Sequence, residues 1–188
     1  LPVPAFAGVA GGDFNGDGRP DLYFTGNVVE NRLYLNRGDF QFKEVTATAK
    51  VAADSVWSTG AAVVDVNQDG RMDLYVSVGG PSALPGTRAN RLYVNQGVND
   101  EGVPVFEERA EQYGIAGDSY TTQAAFFDYN RDGALDLYVL NNAEADRGQV
   151  TIDPPRTEGQ SPTTDRLYRR NDDGTFTDVS EEAGIQIE

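Results

Sequence analysis

Residues 13–21 read Asp-Phe-Asn-Gly-Asp-Gly-Arg-Pro-Asp, and the same pattern returns at residues 65–73 and 128–136. Each copy has the form Asp-x-Asn-x-Asp-Gly-x-x-Asp and runs directly into Leu-Tyr and another apolar residue. Such runs of aliphatic, β-branched and aromatic residues predict a strand after each loop. The three copies therefore predict a repeat protein built from loop-and-strand units.

The oxygen-bearing side chains of these loops have the spacing of a calcium site. Ca²⁺ takes six to eight oxygen ligands at about 2.3–2.6 Å. Positions 1, 3 and 5 offer side-chain oxygens, position 7 offers a backbone carbonyl, and position 9 offers a last carboxylate. Because position 7 needs only a carbonyl, its residue type is expected to be free. The predicted ligands of three Ca²⁺ ions are Asp13, Asn15, Asp17, Arg19, Asp21, Asp65, Asn67, Asp69, Arg71, Asp73, Asp128, Asn130, Asp132, Ala134 and Asp136.

Glycine holds position 6 of each loop, as Gly18, Gly70 and Gly133, where a sharp turn with positive φ is expected. An EF-hand closes with Glu at position 12 between two helices, whereas these loops close with Asp at position 9 before a strand. Asp, Asn and Gly also form ordinary turns, so one copy alone would fit a hairpin without metal. Three copies with every oxygen-bearing position retained favour the metal, because a turn does not need them all.

The chain reads as one domain, residues 1–188, with repeats at about 5–53, 54–116 and 117–188. The strands are predicted at 6–10, 22–25, 32–36 and 40–45, then 61–64, 74–78, 91–95 and 105–108, then 124–127, 137–140, 166–169 and 175–179. Polar segments at 46–50, 109–113 and 180–183 predict single helical turns. All-β units of four strands, with a loop between the first and second strand, are typical of β-propeller blades.

The chain resembles the FG-GAP/VCBS repeat family, which includes the propellers of integrin α-subunits and many exported bacterial proteins. The resemblance rests on the three loops with their Leu-Tyr continuations, on Asn31-Arg32-Leu33-Tyr34 with counterparts from Asn90 and Asp165, and on residues 173–179. It covers almost the whole chain and implies antiparallel propeller-type blades with Ca²⁺ held at loop positions 1, 3, 5, 7 and 9. The literal Phe-Gly and Gly-Ala-Pro signatures are missing, which argues against an integrin-type ligand site.

Three blades are too few for a closed propeller, which needs roughly four to eight. An incomplete or open propeller is therefore expected, with three explanations open: a piece of a longer propeller, an open array, or completion by neighbouring subunits. The apolar start at residues 1–10 either begins the first blade or is donated as a strand to another subunit. The expected partners are thus further copies, as a homo-oligomer or polymer, or further blades.

The amino-acid composition argues against several classes of function. The formal charge is −15, from 30 acidic and 15 basic residues, and bound cations would offset part of it. Nucleic acid is not an expected partner, because the basic residues are scattered. Without His or Cys, the familiar nucleophilic triads and zinc sites are impossible, so catalysis is not expected. No membrane span is read from the sequence.

These features predict an exported, bacterial protein, extracellular or on the cell surface, because loops of this kind fill at millimolar calcium. The expected role is structural or adhesive, through self-association and with a fibre subunit as one form. The alternative is a carbohydrate- or protein-binding module of a larger secreted protein. Its candidate binding segment is the long connection at residues 141–164. The repeated Arg32, Arg91 and Arg166 are read as structural ion-pairing residues, and Tyr23, Tyr75 and Tyr138 as packing residues between blades.

Overall fold

The fold is seen in a computed structural model, which describes residues 6–27, 29–79, 88–142, 159 and 161–186. These residues form three antiparallel four-stranded sheets, each with its strands in chain order. The first sheet holds β1 Phe6–Gly12, β2 Asp21–Gly26, β3 Arg32–Asn36 and β4 Phe42–Glu44. The middle sheet holds β5 Ser58–Val64, β6 Asp73–Val78, β7 Arg91–Val98 and β8 Pro104–Glu108. The third sheet holds β9 Thr121–Phe127, β10 Asp136–Asn141, β11 Arg166–Arg170 and β12 Phe176–Asp178.

The all-β prediction and the three four-stranded antiparallel sheets are confirmed. Within the described ranges the sheets do not close into a barrel. The propeller arrangement and the repeat boundaries stay predictions, although the strands of each sheet lie inside one predicted repeat.

Short helices follow the fourth strand of the first two sheets. Helix α1 spans Thr46–Ala49 and α2 spans Ala110–Tyr113, each ended by a left-handed residue, Lys50 and Gly114. The third predicted helical turn, residues 180–183, is a hydrogen-bonded turn and not a helix. The left-handed position after α1 holds Lys50, a residue other than glycine, and its side chain is exposed.

Three strand predictions were wrong at their starts. Strands β5 and β9 begin at Ser58 and Thr121, three residues before the predicted starts, and β4 begins late. Strand β4 begins at Phe42, whereas the sequence placed residue 40 in the strand. Gly38, Asp39 and Phe40 all have positive φ, of 82°, 48° and 58°, so they form the hairpin turn. The Phe40 side chain is fully exposed, because the turn carries it away from the sheet.

The middle sheet packs on both of its faces. Towards the first sheet it presents Leu74, Val76 and Tyr93, which meet Tyr23 and Leu33 in one buried cluster. Its opposite face contributes a second cluster with the third sheet, formed by Val64, Tyr75, Leu92, Val94, Ala124, Leu137 and Val139. Burial of side chains this large stabilises each inter-sheet contact by about 1.5–3 kcal/mol per residue.

Glycines let the first strands of neighbouring sheets approach each other. A Cβ on Gly8 would lie 2.8 Å from the Thr59 carbonyl oxygen, and one on Gly60 would lie 2.7 Å from the Thr122 carbonyl oxygen. Strand β5 therefore contacts both β1 and β9 closely enough to exclude a side chain at these points.

Buried tyrosines tie the strands to the segments that follow the helices. The Tyr23 hydroxyl donates to the Val51 carbonyl and accepts from the Asn31 amide, both at 2.7 Å. The Tyr75 hydroxyl donates to the Ile115 carbonyl at 2.9 Å. Tyr138, the third member of the set, lies on the outer face of the third sheet and is only partly buried. Tyr23 and Tyr75 are thus packing residues between sheets, and Tyr138 is not.

The Tyr23 hydroxyl offers a test of this packing. Tyr23→Phe should lower the free energy of unfolding by about 1–3 kcal/mol, because the buried Asn31 amide and Val51 carbonyl each lose a partner. Urea unfolding followed by tryptophan fluorescence measures the change. Tyr34→Phe is the matched control, since the Tyr34 hydroxyl makes no hydrogen bond to the other described residues, and its effect should stay within about 0.5 kcal/mol. Equal losses in both variants would contradict the assignment.

Candidate metal centre

The three Asp-rich loops occupy equivalent places in the fold. Each joins the first and second strand of its sheet: residues 13–20 lie between β1 and β2, residues 65–72 between β5 and β6, and residues 128–135 between β9 and β10. The position-9 aspartate of each loop is the first residue of the second strand. The predicted ligands of each loop are therefore brought together at one end of each sheet.

The position-1 aspartate folds the loop around its own carboxylate. In the first loop, Asp13 Oδ1 accepts from the Gly16 and Asp17 amides at 2.8 and 3.1 Å, and Oδ2 accepts from the Gly18 amide at 2.8 Å. Asp65 and Asp128 accept from the amides equivalent to those of Asp17 and Gly18. Gly18, Gly70 and Gly133 have φ of 82°, 84° and 91°, which explains glycine at position 6.

The position-9 aspartate is fully buried and joins the loop to the third strand. Asp21 Oδ2 accepts from the Phe14 amide at 3.0 Å, and Oδ1 accepts from the Asn36 amide at 2.8 Å. Asp73 and Asp136 repeat the arrangement, with distances of 2.7–3.3 Å to the amides of Val66, Asn95, Tyr129 and Arg170. Each of these carboxylates holds position 2 of its loop beside the end of the third strand.

Burial makes the charged form of these carboxylates costly. It raises the pKa of Asp73 to about 6, although the amide hydrogens of Asn95 and Val66 act in the opposite direction. Burial also raises the pKa of Asp21, which two backbone amides again moderate. A cation beside such a group would favour the charged form.

Positions 3 and 5 are paired with each other. Asn15 Oδ1 accepts from the Asp17 amide and its Nδ2 donates to Asp17 Oδ2, both at 3.2 Å. The second and third loops contain the same pairing. All of these groups are solvent-exposed or nearly so, in contrast to the buried position 9.

The side chain at position 7 makes contacts in two of the three loops, whereas the sequence led us to expect a role for its carbonyl alone. Arg19 Nη2 pairs with Asp17 Oδ2 at 3.1 Å, and its Nε donates to the Asn36 carbonyl at 3.3 Å. Arg71 pairs with Asp69 at 2.5 Å and donates to the Asn95 carbonyl at 3.0 Å. Ala134 cannot form these contacts, so the third loop lacks a position-7 cation on its position-5 carboxylate.

The donor set of each loop suits a hard cation. It consists of three carboxylates, one amide oxygen and one backbone carbonyl, and oxygen ligands of this kind are those that Ca²⁺ prefers. Among the described residues, no three acidic side chains lie close enough together to hold a metal ion in this structure. The loop carboxylates instead face backbone amides and, in two loops, a guanidinium. The fifteen predicted ligands thus fit calcium by their chemistry, and their occupancy stays a prediction.

Sequence reasoning missed the residues of the third strands that contact the position-9 carboxylates. Asn36, Asn95 and Arg170 supply the backbone amide that the position-9 carboxylate accepts. The sequence does carry a signal for them, because each lies four residues after the repeated arginine that precedes Leu-Tyr. The arginines Arg32 and Arg166 form ion pairs with Glu44 and Asp178, as the structural interpretation predicted. The long connection at residues 141–164 lies mostly outside the described residues.

Comparison with known proteins identifies the repeat. Residues 13–76, which hold the first two loops and the strands between them, match the family model described as FG-GAP-like repeat. This part of the chain is similar to the FG-GAP-like repeat family. The predicted recognition is therefore confirmed.

A curated relative extends the similarity. Cartilage acidic protein 1 of Xenopus tropicalis is 30% identical over 141 residues, which is 73% of this chain and 21% of that protein. The chain thus spans about a fifth of the length of the curated relative it matches. The relative comes from an animal, and it gives no support to the expected bacterial source. In the described residues, no helix is long and apolar enough to cross a membrane.

The anchoring role of position 9 can be tested without metal. In buffer with excess EGTA, Asp73→Ala should lower the free energy of unfolding by about 2–5 kcal/mol, because the buried Val66 and Asn95 amides both lose their acceptor. Urea unfolding gives the value, and Asp172→Ala at an exposed aspartate is the control. A loss below about 0.5 kcal/mol for Asp73→Ala would show that the carboxylate does not anchor the loop.

Proposed function

We propose that the chain is a calcium-stabilised, non-enzymatic structural and adhesive repeat module that acts outside the cell. The observation that carries the proposal is the threefold repetition of one loop, each anchored by a buried carboxylate at the start of the second strand. The FG-GAP-like match over residues 13–76 supports it. A reactive group is not needed in such a role, and the chain contains neither His nor Cys.

The ion would be held in each loop by positions 1, 3, 5, 7 and 9. In the first loop these are Asp13, Asn15, Asp17, the Arg19 carbonyl and Asp21. Calcium would supply positive charge between the three carboxylates of the loop, so that the loop and the two strands it joins are held together. The guanidinium of Arg19 partly fills this electrostatic role for Asp17, and calcium binding would have to displace it from that carboxylate.

Thermal unfolding tests the metal directly. In 2 mM CaCl₂ the melting temperature should exceed that in EGTA by about 5 °C or more, because each site with a Kd of about 0.1–1 mM contributes about 0.6–2 kcal/mol. The triple variant Asp17→Asn, Asp69→Asn and Asp132→Asn is the control and should lose this response. An unchanged melting temperature in the native chain would mean that the loops are turns without metal.

An extracellular location is consistent with both the metal and the relative. Loops of this type reach high occupancy only at the millimolar calcium found outside cells. The relative is named for cartilage and for acidity, and this chain has a formal charge of −15. These observations support placement of the module in a calcium-rich extracellular setting.

Self-association is proposed through the outer faces of the first and third sheets. On the first sheet, Phe24 and Tyr34 stack edge to face at 5.9 Å beside Val9, which is 58% exposed. By strand register Val9 pairs with Phe24 as Ala61 pairs with Val76, a pair that the middle sheet buries. On the third sheet, Phe127 and Leu140 are 42% and 46% exposed. Both outer faces thus correspond to faces that are covered inside the stack, and we expect a second copy to cover them.

Light scattering after size exclusion tests this association. In calcium, the mass of the native chain should rise above 20.3 kDa as its concentration increases, and Phe127→Ser should return it towards the monomer. Phe40→Ser is the matched control, because Phe40 is exposed on a hairpin turn away from either face, and it should behave like the native chain. A native chain that stays monomeric at all concentrations would contradict self-association.

The alternative is a ligand-binding module, for carbohydrate or for a protein. A cavity of about 560 Å³ favours it, lined in part by Arg166, Asp178 and Ser180 and next to Gly159 of the long connection. Its lining carries both charges and hydrogen-bonding groups, which suits a polar ligand. A calcium-stabilised monomer that binds a glycan saturably would favour this function over the structural one.

A further inference from the structure

The loops of neighbouring repeats are connected by side chains that cross between sheets. The side-chain amide of Asn95, in the third strand of the middle sheet, donates to the Phe14 carbonyl in the first loop at 2.8 Å. Arg170, at the equivalent place in the third sheet, donates through Nη1 to the Val66 carbonyl in the second loop. In both cases the acceptor is position 2 of the preceding loop.

These contacts complete a continuous path between the position-9 carboxylates. The Asn95 backbone amide donates to Asp73 at 2.7 Å, its side chain donates to the Phe14 carbonyl at 2.8 Å, and the Phe14 amide donates to Asp21 at 3.0 Å. Three hydrogen bonds therefore join the second loop to the first. The same three types of contact join Asp136 through Arg170 and Val66 to Asp73.

Every residue of the path between the first two loops is buried. Asp21, Asp73 and Asn95 have no exposed surface, and Phe14 is 3% exposed. Loss of any of these hydrogen bonds would leave a buried polar group without a partner, so the groups must move together. Phe14 also lies directly between Asp13 and Asn15, two of the proposed ligands. The position of the first loop's ligands thus depends on where Asn95 sits.

We infer that Asn95 and Arg170 are positioning residues that couple calcium binding between adjacent loops, an inference that rests on the proposed calcium function. An ion in the second loop restrains Asp73, and Asp73 restrains Asn95 through its backbone amide. Asn95 then holds the Phe14 carbonyl, and the first loop needs less ordering when its own ion binds. Binding at the two loops is therefore positively cooperative, and by linkage each ion raises the affinity of the other by the same factor.

Asn36 provides a matched control that the repeat itself supplies. It occupies the place of Asn95 in the first sheet, and its side chain accepts from the Gly38 amide as Asn95 accepts from Gly97. Its Nδ2 donates to the Pro20 carbonyl of its own loop, as that of Asn95 donates to Met72. The contact to a preceding loop is made by Asn95 and not, among the described residues, by Asn36.

A calcium titration followed by ¹⁵N–¹H NMR resolves the loops separately. The Gly18 and Gly70 amides donate to the position-1 carboxylates at 2.8 Å, so each reports its own loop. Asp69→Asn weakens the second loop while keeping its shape. In the otherwise native chain this change should raise the calcium midpoint at Gly18 about fivefold or more, within the range of allosteric coupling.

The coupling must depend on Asn95. In Asn95→Ala, the added Asp69→Asn change should alter the Gly18 midpoint less than about twofold, whereas in Asn36→Ala the fivefold effect should persist. If Asn95→Ala does not fold, Arg170→Ala tests the same device, with Asp132→Asn as the perturbation and Gly70 as the reporter. If Asp69→Asn leaves the calcium midpoint at Gly18 unchanged in the otherwise native chain, the coupling is overturned but the calcium function is not. Glycine amides that do not shift at millimolar calcium would overturn the metal function as well.

Discussion

A buried aspartate carboxylate between two backbone amides is the contact on which each repeat depends. Asp21, Asp73 and Asp136 each accept one hydrogen bond from their own loop and one from the third strand. One side chain therefore fixes the loop, the start of the second strand and the end of the third strand at once. Burial of an anion without a counter-ion is costly, and the raised pKa of Asp73 reflects that cost. A cation bound in the loop would offset part of this cost.

Contacts between neighbouring sheets link the three loops to one another. Tyr23 and Tyr75 fill equivalent places between sheets, and Gly8 and Gly60 let the first strands come close. Asn95 then reaches from the middle sheet into the first loop. Each repeat is held partly by its neighbour, as in other repeat architectures.

Much of this fold could be predicted because the signals are local. The Asp-x-Asn-x-Asp-Gly-x-x-Asp pattern marks where a loop ends and a strand begins, and Leu-Tyr identifies the strand that follows. Phe40 was misplaced because an aromatic residue favours a strand, and three consecutive residues with positive φ overrode that preference. Residue propensities do not predict this turn, because two of its three residues with positive φ, Asp39 and Phe40, are not glycine.

The contacts between repeats could not be predicted for a different reason. Asn95 and Phe14 are 81 residues apart, and neither residue type predicts a contact with the other. The pairing of Arg19 and Arg71 with position 5 was missed because position 7 was judged by its carbonyl alone. Likewise, only the arrangement of the sheets shows that Tyr138 lies on an outer face while Tyr23 and Tyr75 lie between sheets.

Calorimetric titration of the metal-free chain with calcium tests whether each of the three loops holds one ion. We expect a stoichiometry of three ions per chain, reduced by one for each of Asp17→Asn, Asp69→Asn and Asp132→Asn taken singly. Heat changes that show no saturable binding at millimolar calcium, or a stoichiometry that these single changes leave unaltered, would contradict it.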